Sequence, residues 1–216
     1  MRKGAPAYLS NQMPRTFAPK PDYAVRFWKA RGLRPPEVDP LELLARKVPE
    51  TLGDLPPPVP GRVVCGDART LNFQDLGGPF SWVITSPPYY GMRTYVPDQW
   101  LRYWLVGGPP AVAYKYDGQI GSGPAEAYIT ALQTVWKNVA KACRPGARLV
   151  VRFGGLPSRM IAEPAELLRT SFTGTPWRIK WLRAAGNPDC GRRQAKSFRI
   201  RYNSAVEEID ALAVLE

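Results

Sequence analysis

The stretch Ser81-Trp82-Val83-Ile84-Thr85-Ser86-Pro87-Pro88-Tyr89 decides how this chain folds. Ser81 to Thr85 combine bulky and β-branched residues on alternate sides, the pattern of a strand buried in a sheet. Two prolines then stop the strand, because proline has no N–H for a ladder and a fixed φ. Upstream, Arg62 to Cys65 reads as a short apolar strand ending at Gly66-Asp67. Downstream, Ala125 to Ala142 places Tyr128, Ile129, Leu132, Val135, Trp136 and Val139 on one face, which predicts an amphipathic helix. Arg144-Pro145-Gly146 ends that helix, and Ala147 to Phe153 reads as the next strand. Pro164 to Ser171 predicts a short helix; Trp177 to Leu182 and Val206 to Val214 predict two last strands, paired as a hairpin around a long basic loop. Alternation of strands and helices predicts an α/β fold with a mainly parallel sheet and an antiparallel terminal edge.

Residues 1–60 differ in character. They are rich in proline and arginine and predict an arm and linker ahead of a domain spanning 61–216. Within the arm, Tyr23 to Arg31 and Pro40 to Lys47 predict short helices, the second with Asp39 as N-cap and Pro40 at its first position. A docking arm and a partly disordered tail are both compatible with this composition.

Charge and composition limit the function classes. A formal net charge of +12 favours a polyanionic partner, nucleic acid before others. The chain has no histidine, which excludes a Ser-His-Asp triad and a histidine metal site within it. Cys65, Cys143 and Cys190 lack any C-x-x-C spacing, so no zinc site or disulfide framework is expected and a reducing cytoplasm fits. No apolar run has the length of a membrane span.

Thr85-Ser86-Pro87-Pro88-Tyr89 directly follows the predicted strand, and ligands of open α/β sheets bind at the carboxyl ends of strands. A plain proline turn is the competing reading. Taken with Val63-Val64-Cys65-Gly66-Asp67-Ala68 upstream and Arg144-Pro145-Gly146-Ala147-Arg148-Leu149-Val150-Val151 downstream, the tetrad resembles the catalytic region of S-adenosylmethionine-dependent amino-group methyltransferases. The resemblance covers residues 61 to about 155 and implies a Rossmann-like methyltransferase sheet. It also implies DNA as partner, with serine at the head of the tetrad most like the cytosine-N4 subgroup. RNA amino methyltransferases and a non-catalytic DNA- or partner-binding subunit are the alternatives.

The chemistry accounts for the residue types. An exocyclic amino nitrogen is a weak nucleophile because its lone pair is delocalised into the ring. Two acceptors on its hydrogens favour a pyramidal nitrogen, and the Ser86 hydroxyl and Pro87 carbonyl can supply them. The rigid prolines hold the acceptors in place before the base arrives. Tyr89 offers a ring on which a flipped base can stack. By resemblance, Asp67 accepts from the adenine amino group of S-adenosylmethionine, with Ala68 and Thr85 beside it; a turn aspartate is the competing reading of Asp67. Arg93 is expected to touch nucleic acid. Arg192, Arg193, Lys196 and Arg199 are expected to neutralise phosphates, with a solvated basic loop as the alternative.

One element of the family is missing. The glycine-rich cofactor loop has no good counterpart: Gly118-Gln119-Ile120-Gly121-Ser122-Gly123 follows Tyr- and Pro-rich sequence, and Phe153-Gly154-Gly155 runs into Leu156-Pro157. Expected, therefore, is the catalytic half of a split enzyme, with a second polypeptide carrying the glycine-rich loop; a loop present in this chain in unrecognisable form is the alternative.

The Trp100, Tyr103 and Trp104 run has helical spacing and predicts core packing.

Overall fold

A computed structural model describes residues 21–34, 37–53, 57–91, 100, 102–113, 118–120, 123–154, 163–186 and 208–216. The chain divides into two compact units, one of Met1–Gly61 with Thr94–Tyr116 and one of Arg62–Arg93 with Asp117–Glu216.

In the first unit, α1 spans Pro21–Ala30 and α2 spans Pro40–Leu52. The Asp39 carboxylate accepts from the Leu41 N–H at 2.8 Å, satisfying one of the orphan donors of the first turn. α2 runs past Lys47, where the sequence pattern ends it, and through Pro49; the Pro49 carbonyl still accepts from the Gly53 N–H. Trp100 stacks on Trp104 with centroids 6.4 Å apart, yet Tyr103 and Trp104 are 55% and 49% exposed. Their expected place in a core is not observed.

The second unit is a mixed α/β layer structure. After a 3-10 turn at Phe73–Leu76 come β1 (Phe80–Thr85), α3 (Ala125–Ala140), β2 (Cys143–Phe153), α4 (Pro164–Phe172), β3 (Trp177–Gly186) and β4 (Glu208–Leu215). The sheet order is β1-β2-β4-β3. Only β1 and β2 run parallel; β4 lies antiparallel to both β2 and β3. The described sheet is therefore mixed rather than mainly parallel, because the last strand inserts beside β2 instead of adding to the edge. The terminal hairpin is present, in the register Ile179↔Ala213 and Arg183↔Asp210.

Arg62 to Cys65 is not a strand. The segment forms no ladder among the described residues, and Val63 is fully exposed. Its apolar residues satisfy the pattern of a strand, but a strand also needs a neighbour for its backbone groups.

α3 and α4 cover one face of the sheet. Tyr128, Leu132, Trp136 and Val139 of α3 meet Leu149, Val151 and Phe153 of β2 and Ala211 and Ala213 of β4 in one buried cluster. Trp136 stacks flat on Phe172 at 5.4 Å. Its indole N–H donates to the Ser171 hydroxyl at 3.0 Å, and the Trp177 indole donates to the Trp136 carbonyl at 2.9 Å. Each buried aromatic N–H thus has a partner, as burial requires. None of the described helices is long and apolar enough to cross a membrane.

Candidate functional site

β1 delivers Thr85-Ser86-Pro87-Pro88-Tyr89 at its carboxyl end, beside the parallel strand β2 with Thr85 opposite Val151. The rear of this loop is anchored. The Tyr128 hydroxyl donates to the Pro88 carbonyl at 2.7 Å, and the Tyr128 ring stacks on Phe153 at 6.0 Å. Tyr89 sets its ring edge-on to Phe153 at 6.5 Å and donates its hydroxyl to the Glu208 carboxylate at 2.5 Å. Gly154 makes room for that ring: a Cβ there would meet Tyr89 Cε2 at 2.9 Å. The front is open. Pro87 is buried and Pro88 and Tyr89 are half-buried, whereas Ser86 is exposed, and no described residue hydrogen bonds to its hydroxyl.

Glu208 is a carboxylate only 4% exposed at the head of β4. Two residues on, Asp210 forms a two-pronged pair with the facing Arg152, both bonds at 2.8 Å. That contact holds the Asp210 carboxyl below its ordinary range and the Arg152 guanidinium above its own. Tyr128 and Glu208 are functional candidates that the sequence pattern treats only as helix face or strand, and Gly154, weighed there as part of a glycine loop, instead makes room for Tyr89.

Asp67 sits elsewhere. Its carboxylate is taken by Arg69, with Oδ2 to Nη2 at 2.6 Å and Oδ1 accepting from the Arg69 backbone N–H at 2.9 Å. The Arg69 side chain lowers the Asp67 pKa to about 2. Asn138 of α3 donates to the carbonyls of Ala68 and Leu71 at 3.1 and 2.7 Å. Asn138 is on the order of 15 Å along the helix axis from Tyr128. Thr85 to Tyr89 therefore come together, while Asp67 and Ala68 lie in a separate turn.

The cavity described on this chain, about 330 Å³ and lined by Lys137, Lys141, Cys143, Pro145 and Glu216 among others, is at the opposite end of β2. The Asp67 carboxylate, the one acidic group among Asp67, Ala68 and Thr85, is engaged by Arg69. Described residues include no acidic, cysteine or histidine group able to hold a metal ion. Arg93, Arg192, Arg193, Lys196 and Arg199 lie outside the described residues. Gly186 and Glu208, which bracket 187–207, pair with one another, and Glu208 holds Tyr89.

The chain matches no protein-family model and no curated protein.

Proposed function

We propose that this chain is the base-binding half of a two-chain amino-group methyltransferase of Rossmann-like fold acting on DNA, with cytosine N4 as the target nitrogen. The observation that carries this reading is a loop fixed at its rear and open at its front. Tyr128 and Glu208 hold Pro88 and Tyr89, and the Ser86 hydroxyl is exposed at the carboxyl end of a parallel strand. In this reading, Ser86 and the Pro87 carbonyl accept the two amino hydrogens of a flipped base. The same acceptors stabilise positive charge as it develops on nitrogen. Preorganisation is the chain's contribution, since neither acceptor needs to move.

S-adenosylmethionine is the methyl donor of the family the tetrad resembles, and in this chain Arg69 already engages the Asp67 carboxylate that would bind it. We therefore assign the cofactor to a second polypeptide carrying a glycine-rich loop. Arg192, Arg193, Lys196 and Arg199, in the basic segment between β3 and β4, are the candidates for phosphate contacts in this reading. The test is transfer of labelled methyl to DNA and to RNA by the chain alone and with the glycine-loop polypeptide. The reading expects label in DNA only with both chains present. Label in RNA alone would favour the RNA enzyme, and micromolar cofactor binding with DNA methylation by the isolated chain would refute the split.

A further inference from the structure

The face of the sheet opposite α3 and α4 carries a surface whose composition is unlike solvent-facing strands. The register aligns Trp82, Arg148, Val214 and Arg178 in one row and Ile84, Val150, Leu212 and Trp181 in the next. Trp82 is 51% and Ile84 78% exposed, at the β1 end of this face. Arg148 lies over the Trp82 ring at 4.9 Å and Arg183 over the Trp181 ring at 4.7 Å. β1 pairs only with β2 among the described residues, so no described strand covers its outer edge. Sheet edges are ordinarily protected by charge, proline or a bulge; Phe80–Thr85 contains no charged residue or proline, and its register with β2 shifts only between Phe80 and Trp82, leaving Trp82 to Thr85 regular. A parallel strand with Trp82 and Ile84 on the face away from the helices belongs inside a sheet covered on both sides.

We infer that β1 and this second face dock a separate, acidic polypeptide, which adds a strand to the outer edge of β1 and sets carboxylates against Arg148 and Arg183; Arg178 is already paired with Glu216 at 2.8 Å. Charge decides the occupant. The chain carries a net +12, and on this face Arg148 and Arg183 stand in no ion pair among the described residues, so a second copy would set like charges together. The aliphatic centre, Ile84, Val150, Leu212 and Val214, gains from dry apolar packing, which a nucleic-acid backbone does not provide. Strand addition supplies main-chain hydrogen bonds, and the alternate side chains supply selectivity. This inference deepens the two-chain reading above by placing the partner, and its readout is association alone, so it can hold even if no methyl is transferred.

The experiment places a photo-crosslinking amino acid at position 84 of the full-length chain in cells of the source organism. It then follows amide exchange of residues 80–85 in the purified chain and in the purified complex. The expected result is one polypeptide crosslinked through a segment rich in Asp and Glu, with amides 80–85 protected in the complex and open in the isolated chain. Arg148→Glu should weaken that association at least tenfold, and Ile84→Glu likewise, both with an unchanged melting curve since these side chains are exposed. The inference is overturned by crosslinks to nucleic acid only, by crosslinks to a second copy, by residues of the same chain, or by amides 80–85 already protected in the isolated monomer.

Discussion

Removing the Tyr89 hydroxyl tests whether the loop is held from behind. In Tyr89→Phe the ring keeps its edge contact with Phe153, while the Glu208 carboxylate loses its 2.5 Å donor. Glu208 is 4% exposed, so water replaces that donor poorly. A hydrogen bond to a charged group contributes about 1.5–3 kcal/mol. For a unit of this size that loss lowers the melting temperature by roughly 5–10 °C. Thermal melting by circular dichroism at pH 7 measures it. In parallel, amide exchange at Tyr89 and Tyr90 should rise by on the order of tenfold, because local opening becomes easier. A melting temperature within a degree of wild type, with unchanged exchange at these amides, would refute the claim that Glu208 fixes the loop.

Three further outcomes follow from the same geometry. Gly154→Ala places a Cβ 2.9 Å from Tyr89 Cε2, so the ring must shift; Tyr89 side-chain NMR signals should move and the melting temperature should fall, and unchanged signals would count against the packing described. Ser171→Ala strands the buried Trp136 indole N–H and should cost about 1–3 kcal/mol by urea unfolding. Asp67 should titrate by carboxyl NMR with a midpoint of about 2, because Arg69 stabilises the ionised form. Its folded pKa lies below the unfolded value, so whatever stability the contact gives is present above the unfolded pKa and is lost as pH falls through about 2. Arg69→Ala should return the midpoint toward about 3.9.

Local pattern made much of the second unit legible. Strand β1, helix α3 and the terminal hairpin follow from apolar periodicity, since burial on one face leaves a repeat in the sequence. The proline tetrad was legible because its two prolines must end a strand. Strand order was not: nothing local to Glu208–Leu215 says that it lies between β2 and β3. Arg62 to Cys65 has strand composition but no ladder, since pairing depends on a neighbour that composition cannot supply. The anchors of the loop were hidden for a similar reason. Tyr128 and Glu208 lie 40 and 119 positions from their partners Pro88 and Tyr89, and each reads locally as helix face or strand. Asp67 is expected at the cofactor by resemblance alone, and that resemblance carries no sign of the Arg69 contact its carboxylate makes.

Nucleoside analysis of DNA treated with both chains and the methyl donor tests the base-binding hook most directly, run with wild type and with Ser86→Ala. Wild type should yield N4-methylcytosine. The variant should lose on the order of a hundredfold in rate while DNA affinity stays within twofold, because Ser86 acts on developing charge rather than on binding. Methyl groups on a ring carbon, or a Ser86→Ala enzyme as fast as wild type, would contradict it.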